Sequence, residues 1–124
     1  TVKHFTSWLN LAPNNKISGG KVLSSRIPKK KNHAGQIFRM AAFAIQRSKN
    51  WLAMFYNRIK AKNGAPKAIV ATARKIAAIF YKMIKERVKF NPIPIEKYMD
   101  GFKENQIKKL KRQAKNLGLQ IVEM

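Results

Sequence analysis

Ser18-Gly19-Gly20-Lys21 is the segment whose residue types and spacing offer chemistry. A serine hydroxyl attacks phosphorus when its surroundings take up its proton and hold the developing charge. Two glycines let a phosphate come close to the backbone, and successive N–H groups can cradle it. Lys21, Arg26, Lys29 and Lys30 stand near enough in sequence to clamp phosphate oxygens. The same string also reads as a plain glycine turn carrying a solvated serine. It is not a P-loop, because the G-x-x-x-x-G-K spacing is missing. A Ser–His–Asp arrangement gains nothing from spacing, since its candidates are His4, His33 and the far-downstream Asp100. Two His, no Cys and five scattered acidic residues (Glu86, Glu96, Asp100, Glu104 and Glu123) give no thiolate zinc site, no Cys nucleophile and no acidic metal centre.

The charge balance points to a partner. The 124 residues carry 27 Lys plus Arg against 5 Asp plus Glu, a formal net charge of +22. Such an imbalance costs stability through self-repulsion unless a polyanion neutralises it. Nucleic acid is the expected polyanion, with Lys67, Arg74 and Lys85 touching its backbone. A membrane-surface binder built on basic amphipathic helices is a lesser alternative. No apolar run reaches the ~18 residues of a membrane helix, and no signal peptide is seen. The absence of Cys suits a cytoplasmic protein. The chain starts at Thr1 rather than Met and reads as a piece of a longer protein. Hydrophobic residues make up 45% of it, enough for a modest core and too many for a disordered chain.

Helices must position these residues. Phe5, Trp8, Leu9 and Leu11 form a short apolar segment that Pro13 stops. A basic stretch follows, with Lys16, Lys21, Arg26, Lys29, Lys30 and Lys31, and its glycine pair closes either a small hairpin or an irregular loop. Asn32 suits the N-cap of a helix to about Ser48, apolar nearly all round and so expected to be central and buried. A helix from Lys49 to about Lys62 carries Trp51, Phe55 and Tyr56, which read as core rather than as base-stacking platforms, and Asn63-Gly64 ends it. Pro66 opens a helix to about Val88. On it Ile69, Ala73, Ile76, Ala77, Phe80 and Ile84 share one face, while Lys67, Arg74, Tyr81, Lys82 and Lys85 fall opposite. Asn91-Pro92-Ile93-Pro94 breaks the pattern. A last helix within 95–117 has Ile107, Leu110, Ala114 and Leu117 on one side and basic residues around the rest, with Gly118 at its C′ position. The expected fold is mainly α: one compact domain over 1–124, of four to five helices, with a basic Gly-containing loop or small hairpin near the N-terminus.

Three motifs in order resemble those of a known family. Phe5-Thr6-Ser7-Trp8-Leu9-Asn10-Leu11-Ala12-Pro13 followed by Ser18-Gly19-Gly20-Lys21 resembles an aromatic–x–x–apolar–L–G–L–x–P segment with an S-G-G-K motif. Asn32-His33-Ala34-Gly35-Gln36-Ile37-Phe38-Arg39-Met40-Ala41-Ala42 resembles N-R-A-G-Q-x-F-R-x-A-A. Gly64-Ala65-Pro66-Lys67-Ala68-Ile69, Thr72-Ala73-Arg74-Lys75-Ile76-Ala77 and Tyr81 resemble a G-A-P-K-A-I…T-A-x-K-x-A…Y block. The family is that of the IS110-type insertion-sequence transposases, related to the pilin-gene invertases. Residues 1–90 are the most family-like, and 91–124 read as a basic helical C-terminal extension.

The resemblance implies a C-terminal transposase domain whose serine attacks DNA and becomes covalently linked to it, a role that falls on Ser18. It also implies an N-terminal RuvC-like domain with a DEDD tetrad binding divalent metal (Mg), action as a homo-oligomer, and an element-encoded guide RNA. Neither the tetrad nor the helix-hairpin-helix region expected just upstream has a counterpart in these residues, so the fragment by itself is expected to lack a complete catalytic centre and to hold no cofactor. The bacterial cytoplasm, at the nucleoid, is the implied location. Asn10 stands where the family pattern has Gly, and Arg74 where His is frequent. The rival function is a non-catalytic basic module that binds DNA or RNA.

Overall fold

A computed structural model describes residues 1–30 and 32–122; Lys31 and Glu123, named above, lie outside them. Among the described residues five helices and one two-stranded hairpin form a mainly α fold: α1 Val2–Trp8, β1 Lys16–Ser18, β2 Lys21–Ser24, α2 His33–Ile45, α3 Trp51–Asn63, α4 Ala65–Glu86 and α5 Ile95–Asn116. The chain divides into two compact units, Thr1–Asn91 and Pro92–Met124. The division falls at the Asn-Pro-Ile-Pro break, where the family-like part gives way to the basic extension.

Helix bounds follow local chemistry. The Asn32 side chain accepts from the Gly35 N–H at 3.0 Å, and that of Asn50 accepts from the Ala53 N–H at 2.9 Å, so each satisfies one of the donors that a helix start leaves unpaired. Gly64 ends α3 at φ 92, and Pro66 occupies the first turn of α4, where its missing N–H costs nothing. Gly118, at φ 73, is the expected C′ residue of α5; the Leu119 N–H reaches back to the Ala114 carbonyl at 2.8 Å.

In the first unit α4 packs against α1, α2 and α3. On α4 the buried residues are small, whereas α3 buries Trp51, Leu52 and Tyr56. Ala42, Ala68, Ala73 and Ala77 are fully buried, and Leu9 and Leu11 of the first segment cluster with Ala42, Ala73 and Ala77. Small side chains let helix backbones approach closely but leave little apolar area to bury. Phe5, Phe38 and Phe80 add a half-open aromatic cluster, with ring centroids 5.5–6.4 Å apart.

Two expectations are corrected here. The α2 helix is not central and buried: only Gly35 and Ala42 are, while Ile37 (65%), Met40 (71%) and Phe43 (58%) stand exposed. Its apolar circumference is wider than the single stripe its neighbours cover. On α4 the apolar face holds through Ile69, Ala73, Ile76 and Ala77 but runs out at Phe80 and Ile84, which are exposed. Tyr81 does not join the lysines in solvent. It is half-buried, its ring 5.4 Å from that of Phe5, with the Lys85 ammonium 5.8 Å from its centroid.

In the second unit α5 is an amphipathic helix of 22 residues in which no residue is buried. Its Ile107, Leu110 and Leu117 are exposed.

Candidate functional site

The hairpin resolves the alternative that the glycine pair leaves open. β1 and β2 are antiparallel, with Ser18 opposite Lys21 and Ile17 opposite Val22. Gly19 (φ 57) and Gly20 (φ 76) form the two-residue connection. Positive φ at both central positions is the requirement of a type I′ turn, which matches the twist of the strands and which glycine, and asparagine at the first position, adopt most readily. Ser18 therefore occupies the last strand position before the turn, directly across from Lys21, and both are exposed. The base of the hairpin is tied by the Asn14 N–H donating to the Arg26 carbonyl at 3.0 Å.

Among the described residues no side chain is bonded to Ser18 to activate it. Among the described residues its hydroxyl makes no hydrogen bond, and no group of three or more His, Cys, Asp or Glu could hold a metal ion. The side chains present thus do not fit the divalent ion that the resemblance implies for the neighbouring domain.

The other candidate residues separate into those the fold gathers and those it leaves apart. Arg26, Lys67 and Arg74 line one groove of about 1200 Å³ on the first unit, although nearly fifty residues of sequence separate the first from the last. The groove adds two cations that sequence reasoning missed, Lys3 and Lys75. Lys75 lies one residue beyond Arg74 in the recognised block, so its proximity was readable; Lys3 carried no such signal and arrives only because α1 packs on α4. Lys21, Lys29, Lys30 and Lys85 are exposed and do not line this groove.

The two N-terminal motifs hold each other in register. At the end of α1 the Leu11 N–H donates to the Thr6 carbonyl and the Asn10 N–H to the Ser7 carbonyl, both at 3.0 Å, while Asn10 takes φ 57. This is the helix ending that glycine serves best, with asparagine next. The next three carbonyls are met by α2 and its N-cap. The Asn32 amide donates to the Trp8 carbonyl at 2.9 Å. Gly35 presses its backbone against the Leu9 carbonyl oxygen, which any Cβ would strike. The Arg39 guanidinium donates to the Asn10 carbonyl at 3.2 Å. The Asn10 amide in turn donates to the Lys30 carbonyl at 3.1 Å, fixing the far end of the basic stretch. Asn10 in place of glycine therefore keeps the backbone form and gains a tether.

Fold and site together define a mainly helical, strongly cationic module with an exposed serine on a glycine hairpin. Residues 1–57 match the family model described as Transposase IS116/IS110/IS902 family, a stretch that runs from α1 through the hairpin and α2 into α3. The match supports an IS110-type transposase domain, the family that the motifs resemble, and DNA is the partner that family implies. No curated protein and no solved structure matches the chain. Among the described residues no helix is long and apolar enough to cross a membrane.

Proposed function

We propose that this chain is the serine-bearing DNA recombination domain of a transposase, with Ser18 as nucleophile. The observation that supports this best is the hairpin, which presents the Ser18 hydroxyl to solvent at a Gly19-Gly20 turn with Lys21 across from it. In the reaction the Ser18 Oγ–P bond forms as a bridging P–O bond to deoxyribose breaks. The hydroxyl proton goes to a base outside this chain, and the leaving sugar oxygen takes up a proton. Lys21 and Arg26 position the phosphate, Lys29 and Lys30 extend the contact, and Gly19 and Gly20 leave room for it. Lys67, Arg74 and Lys85 hold nucleic-acid backbone. The RuvC-like domain would bring its divalent ion, a second copy and a guide RNA would complete the assembly, and the reaction would take place in the bacterial cytoplasm.

A Ser18 hydroxyl with no hydrogen bond among the described residues is what a second reading rests on, a non-catalytic nucleic-acid-binding module. One experiment separates the two. The whole protein, with its upstream part, is incubated with element DNA, its RNA and Mg²⁺ and then denatured. A protein–DNA adduct that maps to Ser18 and vanishes in Ser18→Ala supports the nucleophile. An adduct that survives in the variant moves the nucleophile elsewhere. Salt-sensitive binding with no adduct from either protein favours the binding module.

A further inference from the structure

The groove that gathers Lys3, Arg26, Lys67, Arg74 and Lys75 has two kinds of surface. Its cations are all exposed, and among the described residues no Asp or Glu lines it. Between them lie Ile27, Phe55, Val70, Ala71 and Ala78, so the concavity itself is apolar. A ligand that fills it must offer several anions along one edge and flat apolar surface along the other. Duplex DNA offers only the first, because its base faces are stacked on one another; its phosphates could reach the cations while the apolar surface stayed wet. An unpaired strand offers both, phosphates to the cations and base faces to the apolar surface. At about 1200 Å³ the groove also exceeds the usual ~300–1,000 Å³ of a small-molecule cleft.

Phe55 supplies the flat surface. It is half-buried on α3, lines this groove, and has the Lys75 ammonium 5.2 Å and the Arg58 guanidinium 5.4 Å from its ring centroid. Both cations lie over the ring, so a base takes its place on Phe55 as one of them turns from the ring to an incoming phosphate, which couples stacking to charge as single-strand grooves do. We propose that this groove binds a few unpaired nucleotides, with phosphates on Arg26, Lys67 and Arg74 and a base against Phe55. The proposal rests on the reading that the chain acts on nucleic acid, and it adds which form of nucleic acid this surface takes.

The test is fluorescence anisotropy of the 124-residue chain with labelled oligo-dT, oligo-U and a mixed-sequence duplex of equal length, over a range of salt. The single strands are expected to bind more tightly than the duplex, with the dT and U arms telling whether DNA or RNA is preferred. Phe55→Ala should weaken single-strand binding roughly 5- to 100-fold and duplex binding less than about twofold. Phe55→Trp should retain single-strand affinity. Phe55→Leu keeps apolar bulk without a π face; it should lose most of that affinity while its melting curve stays near wild type, which separates a stacking defect from a folding defect. Equal affinity for duplex and single strand with no effect of Phe55→Leu would overturn the proposal and leave the nucleic-acid reading standing. So would anionic vesicles that displace oligo-dT at equal charge. Absence of salt-sensitive binding to any of the three nucleic acids would overturn both.

Discussion

The Arg39 guanidinium donates to the backbone carbonyl of Asn10 at 3.2 Å, across 29 residues of sequence. The bond lies at the end of a row in which the N-cap Asn32 and then Gly35 and Arg39 of α2 meet the carbonyls of Trp8, Leu9 and Asn10 in turn. Asn10 then reaches on to the Lys30 carbonyl. The row sets where the basic stretch leaves α1 and where it returns to α2, and so what the hairpin is mounted on.

Gly35 is the tightest point of that row. Gly35→Ala would force a methyl onto the Leu9 carbonyl oxygen, an atom of the backbone that cannot swing away. A loss of about 1–3 kcal/mol is expected, read as a lower melting temperature. Gly101→Ala on α5 is the opposite case: a Cβ there meets nothing within 4 Å, and the change should favour the helix by about 0.5–1 kcal/mol. Helix content by circular dichroism, followed with temperature, distinguishes the two.

Asn10 adopts φ 57. Asn10→Gly keeps that backbone form freely and gives up the tether to Lys30, so its urea midpoint should stay close to wild type. Asn10→Val meets the full cost of the left-handed form, about 1–2 kcal/mol, and gives up the tether as well. A midpoint no lower for Val than for Gly would show that the α1 ending is not built as described.

Within the hairpin, Gly19→Asn should be tolerated, because Asn-Gly is a preferred type I′ pair, whereas Gly20→Val should open the turn. The check is the cross-strand NMR signal between Ile17 and Val22, which face each other in the native register. It should persist in the first variant and disappear in the second.

Ser18→Ala removes an exposed hydroxyl that makes no hydrogen bond among the described residues. Stability should change by no more than about 0.5 kcal/mol, and equilibrium affinity for DNA should be unchanged. Any loss of adduct by the whole protein can then be assigned to chemistry rather than to folding.

Lys67→Gln and Arg74→Gln each remove one groove cation. Each should flatten the plot of log affinity against log salt by about 0.7–0.9, because one phosphate is no longer neutralised. Lys108→Gln, on α5 and not among the residues that line the groove, serves as the comparison. A slope that falls equally for all three would mean that the groove has no special share in binding.

Helix bounds were written in the chain. Asn32, Gly64, Pro66 and Gly118 act through their own backbone and nearest neighbours, so their effect can be read locally. The glycine pair, the serine before it and the net charge of +22 were legible for the same reason. Tertiary structure alone decided which apolar residues are covered. Periodicity gives the direction of a face within a helix, but how much of that face is buried depends on what packs there, and so Ile37, Met40 and Phe43 stand exposed on a helix that reads as central. It also decided that Tyr81 turns toward Phe5 and that Lys3 and Arg26 join Lys67, Arg74 and Lys75 around one groove. A groove is a relation among segments distant in sequence, and no local preference of any one of them specifies it.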